Sequence, residues 1–143
     1  MQCVDVNILV YAHRPESPSH EGFGAWLEDA RAGHEPLGLC DSILTGFVRI
    51  VTHPRIFKEP TPTSVALEFV EALVGSPAAT RVAPGERHWQ IFADLCRRVG
   101  AVGNIVPDAY LAALSTEQGA EWVTADRGFG RFPGLRWRHP LDG

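Results

Sequence analysis

Long apolar runs and basic leader segments are both missing from this sequence. None of its 143 residues lie in a stretch that approaches the roughly 20 apolar residues needed to cross a membrane. The short apolar run at the N-terminus follows no basic region, unlike the run in a secretory signal peptide. We therefore expect no membrane association and, by default, a cytoplasmic protein.

Cysteine is scarce as well. The three cysteines, Cys3, Cys40 and Cys96, are far apart and odd in number, and no CxxC pair occurs. This spacing argues against a disulfide framework and against a zinc site, so we expect plain core thiols. The six histidines also lack metal-ligand spacing, and no Ser–His–Asp grouping is evident. The chemistry of this chain therefore needs no covalent nucleophile.

Positive charge is limited. The chain has 13 Lys and Arg against 17 Asp and Glu, a formal net charge of −4, and Lys58 is its only lysine. A protein that coats nucleic acid indiscriminately is usually basic, so we exclude that class. An enzyme that grips one short nucleic-acid segment is still allowed, because local charge decides such binding.

Short apolar runs with strand character alternate with segments of helical periodicity. Strands are predicted near residues 3–4, 36–40, 80–83, 121–125 and 135–137. Helices are predicted over residues 20–32, 41–51, 64–74, 89–99 and 108–118. Loops are predicted at residues 5–7, 102–107 and 126–133. This alternation predicts one α/β domain over residues 1–143, in which helices flank a central, mostly parallel sheet. The tryptophans fall on apolar faces of these elements, and we expect core packing for Trp26, Trp89, Trp122 and Trp137.

Three aspartates occupy informative positions in this pattern. Asp5 follows the strand-like run MQCV, Asp126 follows EWVTA, and Asp108 lies in the helix-starting phrase NIVPDAYLAAL. A parallel sheet brings the carboxyl ends of distant strands to one edge, where open α/β folds place their sites. Carboxylates that converge there cannot all stay ionised without a cation, and Mg²⁺ or Mn²⁺ prefers such oxygens. The pattern predicts a metal-dependent nuclease, although each aspartate alone could be a helix cap or a turn residue.

Five phrases carry a family resemblance. They are DVNILVYAH, GFVRIVTHPRIF, PGERHW, GNIVPDAYLAAL and WVTADRGFGRFPGLRW, and together they cover nearly the whole chain. In this order they resemble the PIN-domain ribonucleases, specifically the VapC toxins of bacterial type II toxin–antitoxin (VapBC) modules. The similarity is greatest to the mycobacterial-type subgroup. The resemblance implies a single PIN-like domain.

The resemblance also implies roles for individual residues. Asp5 and Asp108 would be catalytic metal ligands, with Asp126 completing the acidic cluster directly or through water. Asn7 and Thr124 would orient these carboxylates, a support that metal sites commonly need.

One position departs from the family pattern. The family usually has an acidic residue on the second long helix, before a Phe-x-Arg phrase, and here that position is Gly46. Asp41, five residues earlier, is a possible additional acid, although a helix cap is its plainer role. We therefore expect one ion held by three aspartates, with water filling the remaining positions.

The activity implied by the resemblance is Mg²⁺-dependent endoribonuclease cleavage, with Mn²⁺ as a substitute. An activated water would leave a 5′-phosphate and a 3′-hydroxyl. Candidate RNA contacts are Arg127, beside Asp126, and also Arg14 and Arg49. A cognate antitoxin and a homodimer are implied as well, with the segments 64–74 and 89–99 as apolar faces for self-association.

Two alternatives remain open. A PIN fold that has lost part of its catalysis could serve as a binding module, and Gly46 is the support for this hypothesis. A phosphotransfer or receiver-like domain would also be parallel α/β with Asp at strand ends. However, a hydrolase of that kind would show Asp at the position of Asn7, and a receiver would need a late lysine, whereas the only lysine is Lys58.

Overall fold

Six helices and five strands make up the chain, and the computed structural model describes all residues from 1 to 143. In chain order they are β1 (Gln2–Val4), α1 (Val6–His13), α2 (His20–Ala32), β2 (Leu37–Cys40), α3 (Asp41–Val51), α4 (Thr63–Val74), β3 (Ala79–Val82), α5 (His88–Val99), α6 (Ile105–Glu117), β4 (Glu121–Val123) and β5 (Trp137–Arg138). A short 3₁₀ helix, Arg127–Arg131, lies between β4 and β5. None of the helices has the length and apolarity to cross a membrane. The cytoplasmic location stays a prediction.

The strands form one sheet in the order β3-β2-β1-β4-β5, and every neighbouring pair is parallel. In the centre, Cys3 of β1 is in register with Gly38 of β2 and with Trp122 of β4. A fully parallel sheet is covered by helices on both faces, which explains its short, apolar strands. The predicted α/β fold is confirmed, and the carboxyl ends of β1 and β4 lie side by side.

A single core of 27 buried residues connects the sheet to its helices. Trp122, Phe47 and Phe129 are its largest fully buried side chains. Gly38 is required by close packing, because a Cβ added there would lie 2.6 Å from the Cys3 sulfur. All three cysteines are free, as expected, with Cys3 and Cys40 buried.

Two element boundaries differ from the sequence-based expectation. The apolar run after Asp5 is helix α1, which begins at Val6, and residues 5–7 are not a loop. Helix α6 begins at Ile105, so Asp108 lies within its first turn. Pro107 misled the prediction, because proline is tolerated in a first helical turn, where its missing N–H would have no partner.

The core prediction for the tryptophans is wrong at one position. Trp122 is fully buried, and Trp26 and Trp137 pack against the core in half-buried positions. Trp89 is 72% exposed. Trp89 follows the buried His88 at the start of α5. Helical periodicity assigned Trp89 to an apolar helix face, but the fold leaves this residue open to solvent.

Candidate active site

Asp5 stands at the junction of β1 and α1, where the chain changes from extended to helical backbone. Its N–H donates to the carbonyl of Val123 at 2.9 Å, which extends the pairing of β1 with β4 by one residue. One carboxylate oxygen accepts from the Val6 N–H at 2.7 Å and caps α1. The side chain is buried, with 5% of its surface exposed. The carboxylate therefore has a set orientation.

The second Asp5 oxygen is held by two polar side chains. The buried Thr124 hydroxyl donates to it at 2.6 Å, and the Asn7 amide nitrogen lies 3.3 Å away. Asn7 also accepts from the Ala125 N–H at 3.1 Å, while the Thr124 oxygen accepts from the Asp126 N–H at 3.0 Å. The structure thus brings both predicted supporting residues into contact with Asp5 and ties the end of β1 to the end of β4.

Asp126 and Asp108 approach this junction from two further elements. Asp126 caps the 3₁₀ helix, and its carboxylate accepts from the Gly128 N–H at 2.8 Å. Asp108 is half-buried in the first turn of α6 and lines the same cleft as Asp5. A negative charge is favourable near a helix N-terminus, which supports Asp108 there. Asp5 and Asp108 therefore share a cleft, and Asp126 lies in the loop beside it.

The electrostatics link the three carboxylates. The pKa of Asp5 is raised to about 6, chiefly by burial and also by the charges of Asp108 and Asp126, while the hydrogen bonds from Thr124 and Val6 oppose the rise. Burial also raises the pKa of Asp108, and Asp126 adds to this effect. Arg131 opposes it, since its positive charge lowers the pKa of Asp108. Asp5 therefore lies in the field of both other carboxylates, and Asp108 lies in the field of Asp126.

The donor atoms fit a hard divalent ion that keeps much of its water. No group of three or more acidic, histidine or cysteine side chains stands close enough together to form a complete ligand set. All the candidate ligands are nevertheless carboxylate oxygens, which Mg²⁺ and Mn²⁺ prefer. Mg²⁺ is commonly bound through only one or two carboxylates, and a cation relieves repulsion between ionised neighbours.

The cleft itself has a volume of about 540 Å³ and lies between α3, α6 and the start of α1. Most of its wall is apolar, and its polar groups are few; the lining includes Asp5, Ser42, Gly46, Arg49, Phe92, Asp108 and Tyr110. Apolar walls with a few placed polar groups are typical of ligand sites. The arrangement suits a phosphodiester held between acidic and basic side chains.

The candidate RNA-binding arginines do not lie together. Arg49 is exposed and lines the cleft with the two aspartates. Arg127 makes two 3.0 Å hydrogen bonds to Asp142. Arg14 lines a different pocket, where its guanidinium lies 4.2 Å from the centre of the Phe57 ring. Both of these arginines are already paired in the structure, and Arg49 is the candidate that shares the cleft with Asp5 and Asp108.

Sequence-based reasoning missed Arg131. This exposed residue ends the 3₁₀ helix and is near enough to Asp108 to lower the pKa of that carboxyl. The available signal was its position five residues after Asp126, but the segment was predicted as a loop. A 3₁₀ turn brings Arg131 back towards the acids, which a loop prediction does not convey.

The structure does not bring Asp41 together with the other aspartates. Its side chain is exposed, forms an ion pair with Arg81, and lines a separate groove between α3 and α4. Asp41 is the first residue of α3, and its side chain makes no cap hydrogen bond. Gly46 lies in the cleft wall, where an added Cβ would meet nothing nearer than a Val6 methyl at 3.7 Å. The position at which the resemblance predicts an acidic residue therefore carries no carboxylate, and Asp41 does not replace it.

Comparison with known proteins identifies the family. The PIN domain family matches residues 3–135. Ribonuclease VapC43 of Mycobacterium tuberculosis is 54% identical over 143 residues, which are 100% of this chain and 97% of that protein. The chain belongs to the VapC ribonucleases of the PIN-domain family. A second member of this family, Ribonuclease VapC37 of the same organism, is 39% identical over 140 residues, covering 98% of this chain and 97% of that protein.

Solved structures of similar fold cover nearly the whole chain. VapBC2 from Rickettsia felis, bound to a DNA fragment from its promoter, has a TM-score of 0.71 at 16% identity and covers 96% of each chain. FitAcB from Neisseria gonorrhoeae has a TM-score of 0.72 at 18% identity and covers 98% of each chain. Because the chain belongs to the PIN family, the phosphotransfer or receiver-like alternative is excluded.

Proposed function

We propose that this chain is a divalent-metal-dependent endoribonuclease and the toxin of a VapBC-type toxin–antitoxin module. The observation that carries the proposal is the pair Asp5 and Asp108 in one cleft, coupled electrostatically to Asp126. Mg²⁺ is the proposed cofactor, with Mn²⁺ as a substitute. The names of the VapC relatives, which describe ribonucleases, support RNA as the substrate.

Asp5 and Asp108 would hold the ion, and Asp126 would complete the acidic cluster directly or through water. When bound, such an ion supplies Lewis-acid activation of the phosphodiester and of water. The chain's own residues provide the rest of the site. Thr124 and Asn7 hold the Asp5 carboxylate in one orientation, as supporting residues of metal sites commonly do. Arg49 and Arg131 supply positive charge for the RNA phosphates on either side of the acids.

We also propose a cognate antitoxin as the protein partner. The solved structures of similar fold include complexes described as VapBC. A groove of about 620 Å³ between α3 and α4 offers an apolar surface for a protein segment, and Leu67 in it is 44% exposed. The homodimer stays a prediction, with exposed Val65 and Leu67 on α4 and Trp89 on α5 available for it.

The direct test is cleavage of total bacterial RNA by the purified protein with Mg²⁺, with Mn²⁺ and with EDTA. Discrete fragments with 5′-phosphate ends are expected only with metal. Asp5→Ala and Asp108→Asn should each lose more activity than the roughly 10–100-fold that loss of a supporting residue costs. Asp29→Asn is the matched control, because Asp29 is an exposed residue on α2, remote from the cleft in sequence and absent from its lining.

Full activity in Asp5→Ala or Asp108→Asn would contradict the proposal. A folded, antitoxin-free protein that cleaves no RNA with any metal would favour the binding-module alternative. Gly46 is the specific observation behind that second candidate, because the cleft lacks the acid usual in the family at this position. Calorimetry would then decide whether the three aspartates bind Mg²⁺ or Mn²⁺ at all.

A further inference from the structure

A chain of aromatic rings runs from solvent to the wall of the cleft. Trp89, 72% exposed, lies with its ring centre 5.4 Å from that of Phe92. The Phe92 ring is 6.3 Å from that of Tyr110, in an edge-to-face arrangement. Beneath them, the buried His88 packs edge-on against Tyr110 at 4.5 Å and hydrogen-bonds to the Tyr110 carbonyl at 2.9 Å. The rings of α5 are therefore anchored to α6.

This aromatic chain ends in the wall of the cleft that contains the acidic residues. Phe92 and Tyr110 line the same cleft as Asp5 and Asp108. Trp89 lies one helical turn before Phe92 on α5 and continues the row outward. Trp89 itself lies outside the cleft lining, and Phe92 connects its ring to the wall that the cleft shares with Asp5 and Asp108.

Polar side chains flank Trp89 in the chain. Glu86, Arg87 and Gln90 are all exposed, so the start of α5 presents the indole among charged and polar groups. Protein interfaces bury a contiguous core of apolar residues, whereas single-stranded nucleic acid needs isolated aromatic faces beside positive charge. Arg49 supplies that charge in the cleft.

We propose that Trp89, supported by Phe92, is a stacking platform for an unpaired base of an RNA strand bound in the cleft. Such stacking needs a base with a free face, which bases inside a duplex do not offer. This inference rests on the proposed ribonuclease function and adds a residue that determines which RNA is bound. Trp89 takes no part in the chemical step.

The first test measures binding without cleavage. Asp108→Asn protein in EDTA is titrated into a fluorescein-labelled single-stranded oligoribonucleotide, and anisotropy reports the Kd. Trp89→Leu in that background should weaken binding about tenfold, the usual scale for one lost base–aromatic stack. Trp89→Phe should retain most of the affinity. Leu67→Ala, an exposed apolar residue of the other groove, should leave the Kd unchanged and serves as the control.

The second test removes the base instead of the ring. The abasic site is moved along the same oligonucleotide one position at a time. At one position the missing base should weaken binding by the same factor of about ten. At that position Trp89→Leu should cause no further loss. In the active protein, Trp89→Leu should raise KM about tenfold and leave kcat within about twofold, as expected for lost ground-state binding.

The outcomes separate this inference from the function on which it depends. Absence of metal-dependent cleavage by the wild-type protein would contradict the nuclease, whereas the binding tests would still decide the platform. An RNA affinity unchanged in Trp89→Leu would overturn the platform. A changed oligomer mass in sedimentation, with an unchanged Kd, would also overturn it and assign Trp89 to a protein interface. Trp89→Phe keeps the test valid if the leucine variant folds poorly.

Discussion

At the scale of single residues, Gly46 stands where the family resemblance predicts an acidic residue. It lies in the middle of α3, in the wall of the cleft, and has room for a side chain because the nearest atom to an added Cβ is 3.7 Å away. We predict that Gly46→Glu adds a carboxylate to the cleft and tightens Mn²⁺ binding, measured by calorimetry. Hard divalent ions gain affinity with each added oxygen ligand.

The control for this change is Gly46→Ala. Replacing a helical glycine by alanine should raise the free energy of unfolding by about 0.5–1 kcal/mol, because glycine loses more backbone entropy on folding. Its metal affinity should match the wild type. Equal Mn²⁺ affinity in the glutamate and alanine variants would show that residue 46 does not face the ion.

Thr124 is the second residue-scale test. Its hydroxyl donates to Asp5 at 2.6 Å and accepts from the Asp126 N–H at 3.0 Å, entirely out of solvent. Thr124→Val keeps the shape and removes both hydrogen bonds. We predict a loss of about 10–100-fold in metal affinity or activity, the usual scale for a residue that orients a ligand. Calorimetry and RNA cleavage rates measure it.

Rescue by serine distinguishes orientation from packing. Thr124→Ser keeps the hydroxyl and loses only a methyl group, so it should retain most of the metal affinity. The valine variant should also unfold more easily, by about 1–3 kcal/mol, because the hydrogen bonds of the Thr124 hydroxyl to Asp5 and from the Asp126 N–H are lost. Equal metal affinity in the valine and serine variants would refute a role for this hydroxyl.

At the scale of elements, Glu117 ties the end of α6 to the loop that precedes α5. Its two carboxylate oxygens accept from the Gly85 N–H at 2.7 Å and the Arg87 N–H at 2.9 Å. These hydrogen bonds hold the pKa of Glu117 below its ordinary value of 4.5. The contact sets the position of the α5 start, and with it Trp89.

The pH dependence follows from the direction of this shift. A carboxyl group whose pKa is depressed by folding stabilises the native state above its ordinary pKa, and the stabilisation disappears as pH falls through the folded value. Glu117→Gln should therefore unfold at a lower denaturant concentration than the wild type at pH 7. The two proteins should converge as pH falls through the lowered pKa of Glu117, because both states then carry the same proton. A difference that persists undiminished at acid pH would exclude the carboxylate as its source.

At the scale of the whole molecule, RNA binding has to overcome a net charge of −4. Only Arg49 and Arg131 stand near the acids without a side-chain partner, since Arg127 is paired with Asp142. Two phosphate contacts to a single strand, at about −0.7 each, predict a slope of about −1.4 for log K against log salt. Anisotropy titrations of Asp108→Asn protein at several NaCl concentrations measure it.

A slope steeper than about −3 would contradict this estimate. It would indicate that a wider basic surface takes part, with Arg127 or Arg14 released from their present partners. The shallow slope expected here also means that stacking and metal binding contribute a large share of the affinity. That expectation agrees with an exposed tryptophan beside the cleft.

Much of the fold and part of the site could be predicted from the sequence. Alternating apolar runs predicted the parallel α/β sheet, and strand ends predicted the positions of Asp5 and Asp126. The start of α1 was missed because a buried helix of eight residues has no polar face and resembles a strand. Trp89 was misplaced because helical periodicity identifies an apolar face without showing whether another element covers it.

Side-chain pairing was beyond sequence-based reasoning. Asp41 was a possible additional acid, but it forms an ion pair with Arg81, forty positions later in the chain. Arg127 is next to Asp126 in sequence and yet binds Asp142 at the C-terminus. Such pairs join residues on different elements, and any of several arginines would have satisfied the same local pattern.

By itself the sequence determined the fold class and the three acidic positions, because apolar periodicity and strand ends are local properties of the chain. Only the tertiary structure decided which charges meet and which aromatic rings stay exposed. Parallel strands place Asp5 and Thr124, 119 positions apart, within one hydrogen bond. The packing of α5 against α6 leaves Trp89 in solvent while it buries His88. Contacts between distant segments depend on how the elements pack, and no local pattern encodes that packing.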